Sequence, residues 1–154
     1  MTGFKAKTIG AAAGLLALGC AGAALAGDVT VTATGVQARA GTLYAALQGR
    51  DQFMQTTFTR GALRENPTAG TVELVFRDVP AGDYAITLLH DEDDDRRMGM
   101  NGMFPREGYG MVRREELRDS PTFDMVKVAV PASGSRFSTE MVYYDGRMPT
   151  GAPR

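Results

Sequence analysis

The chain has 154 residues, 17 Lys and Arg against 18 Asp and Glu, a net charge of −1, and 44% hydrophobic residues. That length fits one domain with a real core and is short for two, and the slightly acidic balance argues against a nucleic-acid partner. The single cysteine, Cys20, excludes a disulfide framework.

The first element is a leader. Lys5 and Lys7 precede an uncharged apolar run from Ile9 to Ala24, and Ala24-Leu25-Ala26 is an A-x-A cleavage signal before Gly27-Asp28. Residues 1–26 are therefore read as a signal peptide, residues 27–145 as the domain, and residues 146–154, with two prolines and two glycines, as a disordered tail. The minor alternative is lipid anchoring at Cys20, since Leu18-Gly19-Cys20 is similar to the end of a lipoprotein box. Either way the expectation is an exported, periplasmic or extracellular protein with no transmembrane segment in the mature chain. Losing the leader removes both Lys5 and Lys7 and no acid, so the mature domain is more acidic still.

Period-two alternation with β-branched and aromatic residues then recurs along the chain. It marks Val29–Ala33, Thr42–Leu47, Thr71–Phe76, Tyr84–Leu89, Phe123–Val130 and Phe137–Tyr144, with a weaker candidate in Phe53–Thr59. Gly, Pro, Asn and Asp fill the gaps, as at Gly35, Gly49, Asn66-Pro67 and Pro131 to Gly134. The predicted fold class is all-β, a single antiparallel β-sandwich of about seven strands with one long loop from Asp91 to Ser120. Leu74, Phe76, Ile86, Leu88, Val126, Val128 and Val142 are expected to point inward. The one helical candidate, Arg113 to Arg118, is too short to form a layer. Pro80-Ala81-Gly82-Asp83-Tyr84 reads as a turn in which Pro fixes φ and Gly82 is free to take a positive φ.

That turn, the strand running into His90-Asp91-Glu92, and Pro105-Arg106-Glu107-Gly108-Tyr109-Gly110 together resemble the bacterial secreted family catalogued as domain of unknown function 2141. The resemblance covers Val79 to Gly110 closely and Val29 to Tyr144 more loosely. It implies a fold and a compartment, and no particular reaction. Similar Pro-x-Gly-x-Tyr turns occur in transthyretin-like sandwiches, which points to a transthyretin-like or Ig-like subtype.

The acidic run His90-Asp91-Glu92-Asp93-Asp94-Asp95 holds the sharpest site candidate. Asp91, Asp93 and Asp95 are spaced like the first, third and fifth ligands of a Ca²⁺ loop, where alternate carboxylates converge on one hard cation. Many members of the resembled family have an Asn- and Gly-rich version with a further Asp. Here Arg96 takes the loop glycine's place, Arg97 follows, and Gly99 stands where the later Asp would be. Weak Ca²⁺ binding is the expectation, and an acidic surface loop cross-linked by its own arginines is the alternative. His90, Glu107, Gly108 and Tyr109 are read as loop-organising residues, with His90 bonding a carboxylate such as Glu107 or a backbone carbonyl. Met98, Met100, Met103 and Met111 beside His90 raise a copper-handling alternative, because thioether and imidazole ligands select Cu(I).

No serine stands in a nucleophile-elbow pattern, so a Ser-His-Asp arrangement has no support. The expected function is a non-catalytic extracytoplasmic binding or envelope-associated module, its partner an envelope protein, a glycan or an ion. The alternative from another class is a small periplasmic hydrolase that uses a carboxylate pair such as Asp91 and Glu107.

Overall fold

The computed structural model describes residues 26–102, 104–117 and 120–144. The leader up to Ala24-Leu25, the lipid-anchor candidate Cys20, Met103 of the methionine cluster and the tail 146–154 lie outside the described residues. Among the described residues no helix is long and apolar enough to cross a membrane.

The chain is all-β in character. Strands β1 (Ala26–Val36), β4 (Gly70–Pro80) and β10 (Ser135–Glu140) make a three-stranded sheet in the order β10-β1-β4. A second sheet contains β2 (Thr42–Gln48), β3 (Arg60–Glu65), β5 (Gly82–Asp91) and β8 (Gly108–Met111) in the order β3-β2-β5-β8, and β9 (Val128–Val130) pairs the first residues of β5. Two short strands, β6 (Met100–Asn101) and β7 (Phe104–Pro105), form a separate hairpin. None of the sheets closes on itself.

One hydrophobic cluster takes residues from both larger sheets: Val29 and Val31 of β1, Leu74 and Phe76 of β4, Leu43 and Leu47 of β2, and Ile86 and Leu88 of β5. The alternation along each strand puts these side chains on one face, and burying each contributes about 1.5–3 kcal/mol. Leu74, Phe76, Ile86, Leu88, Val126 and Val128 are buried as expected. Val142 is not: it is half-buried, and its neighbour Met141 faces the core instead. The last strand stops at Glu140, and Val142 makes only an isolated bridge to Tyr109.

Three further expectations are corrected. The described residues form ten strands where about seven were expected, and the pairing is not wholly antiparallel, since β1 pairs β10 in parallel, with Val29 opposite Ser135. Phe53–Thr59 is not a strand. A 3₁₀ turn at Arg50–Gln52 precedes it, and the buried side-chain nitrogen of Gln48 lies 2.9 Å from the carbonyls of Gln52, Gln55 and Thr57, which share its two N–H groups and satisfy this segment without a ladder. Finally, Phe123–Val130 divides into the short helix α1 (Phe123–Val126) and β9. Phe123 and Val126, three apart, both enter a second apolar cluster with Ala85 and Met111, which a strand could not arrange because its residues alternate sides. The Arg113 to Arg118 candidate is a 3₁₀ turn over Arg114–Glu116.

The Pro80-to-Tyr84 turn also works differently from the expected one, in which Gly82 takes a positive φ. Gly82 is not in the left-handed region. The chain crosses from the three-stranded to the five-stranded sheet at Ala81, and the Tyr84 hydroxyl donates back to the Pro80 carbonyl at 3.0 Å. The tyrosine thereby fixes the corner between the two sheets.

Candidate functional site

Strand β5 ends at Asp91, which lies opposite Thr42 of β2, and the acidic loop starts there. Asp91 is fully buried. Its Oδ1 accepts the Asp95 N–H at 3.2 Å and its Oδ2 accepts the Arg96 N–H at 2.8 Å, so one side chain curls the loop around itself. Asp95 repeats the device one step on, its Oδ1 accepting the Arg97 N–H at 2.7 Å. Arg96 makes the sharp bend that a glycine would make more easily, with φ of 60°, and Asp94 has φ of 58°. Each such non-glycine residue costs about 1 kcal/mol, so the surrounding bonds hold the loop against its own backbone preference.

Glu107 closes the loop from the other side. It is 1% exposed, Oε1 accepts the Glu92 N–H at 3.0 Å, and Oε2 accepts the Gly99 N–H at 2.7 Å. One carboxylate thus ties together two points eight and fifteen residues away in sequence. The rim is held by the Arg39–Glu92 pair at 2.7 Å, by Thr42 donating to Asp94 at 3.3 Å, and by the guanidinium of Arg106 on Asp93. Phe104 stacks on Tyr144 with ring centroids 4.4 Å apart, which adds a contact from the end of the described chain.

The expected bond from His90 to Glu107 is not made, and the carbonyl near its ring is the backbone of Arg39. His90 alternates with Leu88 onto the inward face, and its Nδ1 lies 2.7 Å from the Tyr143 hydroxyl. That hydroxyl accepts the Gln37 N–H at 3.2 Å and remains free to donate to Nδ1, an assignment that puts the imidazole proton on Nε2. Nε2 has no partner among the described residues. Burial holds the Tyr143 phenol above its ordinary value, so it stays a neutral donor. Gly108 makes room for this pair, since its missing side chain is what the Tyr143 ring occupies. Tyr109 fixes the same segment through reciprocal backbone bonds with Val142 at 2.9 and 2.7 Å.

Burial pushes the His90 imidazolium below its ordinary range and the Arg39 charge adds to it; Glu92, the Arg39 backbone and Glu107 oppose this only in part. The unfolded chain protonates near the ordinary value of about 6.5 and the folded chain protonates lower. Between those values the unfolded state binds more protons, so stability falls as pH drops below about 6.5 and is fully present above it. Urea melts across that window are expected to show this decline in the wild type and a smaller one in His90→Gln; equal slopes would show that His90 is not the group responsible.

The three aspartates converge. Asp91, Asp93 and Asp95 each offer a carboxylate oxygen, and these oxygens lie within 4.8 Å of one another, with Asp91 buried and the other two exposed. Ca²⁺ takes oxygens at about 2.3–2.6 Å, so one ion could reach all three. The copper ligands do not converge in the same way. Met98 and Met100 are exposed, whereas Met111 is buried in the second cluster and sits opposite Thr87, three ladder positions from the pairing of His90 with Gly108. That is about 10 Å along the strand. Asp91 and Glu107, the hydrolase candidates, are both buried with each oxygen already accepting a backbone N–H.

Sequence reasoning did not single out Tyr143 or Gly41. Tyr143 lay in what read as an ordinary strand. Gly41 has φ of 101° and passes so close to Asp91 that a Cβ there would lie 1.9 Å from its carbonyl oxygen, a proximity with no local sequence mark.

In comparison with known proteins, the model of a bacterial family described as "Uncharacterized protein conserved in bacteria (DUF2141)" matches residues 31–138. No curated protein and no solved structure matches the chain.

Proposed function

This chain belongs to the DUF2141 family, and we propose that it is an exported, non-catalytic binding or envelope-associated module whose acidic loop takes Ca²⁺ weakly. We read its two larger sheets, which share one hydrophobic cluster, as the layers of a transthyretin-like or Ig-like sandwich. The observation that carries the functional reading is the use of the two buried carboxylates. Asp91 and Glu107 have all four oxygens accepting backbone N–H groups of the loop itself. A general acid or base must exchange protons with substrate, and these groups are engaged in holding the loop. What the loop presents outward is Asp93, Asp94 and Asp95.

Two features keep the metal affinity low. Arg106 holds one oxygen of Asp93 and competes with a bound cation for that carboxylate, and Arg96 adds a second cation beside the ligands. Affinity therefore falls toward the roughly 10⁻⁴ to 10⁻³ M of extracellular modules. A thermal melt in millimolar CaCl₂ against chelator tests the reading. Tenfold excess over Kd adds about 1.4 kcal/mol, so the wild type is expected to melt a few degrees higher with calcium. Asp93→Ala is expected to lose the shift. Arg96→Gly, which relieves the bend and removes a charge, is expected to raise both the basal melting temperature and the shift. A wild type indifferent to calcium, or an Asp93→Ala variant that shifts equally, would retire the metal reading.

A further inference from the structure

The outward face of the five-stranded sheet carries a row that the calcium loop does not use. Leu63 of β3, Tyr44 of β2, Leu89 of β5 and Tyr109 of β8 are direct cross-strand partners. Tyr44 stands on the face opposite Leu43, Ala45 and Leu47, which enter the core. Beside it opens a polar cleft of about 300 Å³, lined by Tyr44, Glu65, Asn66, Asp94 and Arg96 and bordered by Gly41 and Thr42. The backbone around this cleft is unusual: Gly41, Asn66, Asp94 and Arg96 have φ of 101°, 44°, 58° and 60°. Three of the six non-glycine residues with positive φ among the described residues are therefore gathered at one cleft. Strain of this kind concentrates where a structure holds side chains in place for a ligand.

The side chains of Glu65, Asn66 and Arg96 make no hydrogen bond or ion pair among the described residues, so donors and acceptors stand free in the cleft beside the half-buried Tyr44. Two carboxylates, Glu65 and Asp94, against one guanidinium make the cleft repel phosphates and other polyanions. Its polar walls do not suit an apolar ligand. What fits is an uncharged molecule with an apolar face to lie on Tyr44 and alternating hydroxyls for the surrounding groups. We propose that this cleft binds a neutral oligosaccharide, with Tyr44 as the stacking platform and Glu65, Asn66, Asp94 and Arg96 as hydrogen-bonding partners. Tyr109, two strands away on the same row and so about 10 Å distant, offers a second platform, which favours a chain of sugars over a single one. The proposal rests on the binding-module reading and names the ligand class for it. Asp94 and Arg96 belong to the acidic loop, so one wall of the cleft is the loop that calcium would order.

Isothermal titration of the purified protein with cellohexaose, maltohexaose, chitohexaose and an oligogalacturonate, each with CaCl₂ and with chelator, tests it. At least one neutral probe is expected to bind, and the acidic oligogalacturonate is not. Tyr44→Ala is expected to weaken binding about tenfold. Glu65→Ala, at an exposed position at the end of β3 where folding is not at stake, is expected to weaken it as well. Silence from all three neutral probes, preference for the acidic one, or unchanged affinity in Glu65→Ala would overturn the proposal. If the calcium-dependent melt persists while every sugar fails, the metal reading stands and this inference alone falls.

Discussion

A Gly108→Ala protein is expected to lose about 3 kcal/mol or more of stability, a large effect for one added methyl group. A Cβ at Gly108 would lie 2.2 Å from Cε1 of Tyr143 and 2.7 Å from two more ring atoms. The ring has to leave. When it does, the buried His90 loses the hydroxyl at 2.7 Å that satisfies Nδ1, while Nε2 already has no partner among the described residues. The Arg39 guanidinium, 4.7 Å from the Tyr143 ring centroid, loses its platform too. Overpacking and an unsatisfied buried imidazole thus add in the same direction. Chemical denaturation provides the measurement: the midpoint is expected to fall with little change in slope. A loss below about 0.5 kcal/mol, the range of ordinary surface changes, would mean that Tyr143 does not pack against Gly108.

Glu107→Ala is expected to cost a similar amount, about 3 kcal/mol, by a different route. Hydrogen bonds to a charged acceptor contribute about 1.5–3 kcal/mol each, and this carboxylate accepts two, from the N–H groups of Glu92 and Gly99. Removing it leaves both donors unpaired and unties the loop between them. Glu107→Gln keeps one oxygen but turns an NH₂ group toward the other N–H, so it is expected to restore only part of the loss. Hydrogen exchange gives the local readout. In Glu107→Ala the amides of Glu92 and Gly99 are expected to exchange faster, while core amides such as that of Val31 keep their protection relative to global stability. Unchanged exchange at both loop amides would detach Glu107 from loop closure.

The strands with clear alternation, β1, β2, β4 and β5, were legible because each buries one face and period two leaves its mark on composition. β8 was not. Gly108-Tyr109-Gly110-Met111 is short and glycine-rich, and its place in the sheet follows from close packing by Tyr143 and Met141 against the two glycines. The same applies to Phe123–Val126, whose apolar residues fit either period until Ala85 and Met111 decide which side they face. At the site, the aspartate spacing was readable and so was the departure at Arg96. What could not be read was that Arg96 adopts the glycine-like bend all the same, because Asp91 accepts its N–H. The partner of His90 was misjudged for a related reason. Glu107 is near in sequence, yet strand alternation turns His90 inward toward a tyrosine 53 residues away, and Glu107 is taken up by the loop backbone. Tyr44, Glu65 and Asn66 carry no motif and meet only through the β2–β3 pairing.

Whether Asp91, Asp93 and Asp95 form a weak calcium loop, built on buried carboxylates with no catalytic duty, is decided by a crystal structure grown in millimolar CaCl₂ with anomalous data. The expected result is one ion about 2.3–2.6 Å from oxygens of all three aspartates, with Arg106 moved off Asp93 and Glu107 still on the Glu92 and Gly99 N–H groups. A loop with no anomalous peak and Arg106 still paired to Asp93 would contradict it, as would an ion bound anywhere else in the acidic loop without Asp93.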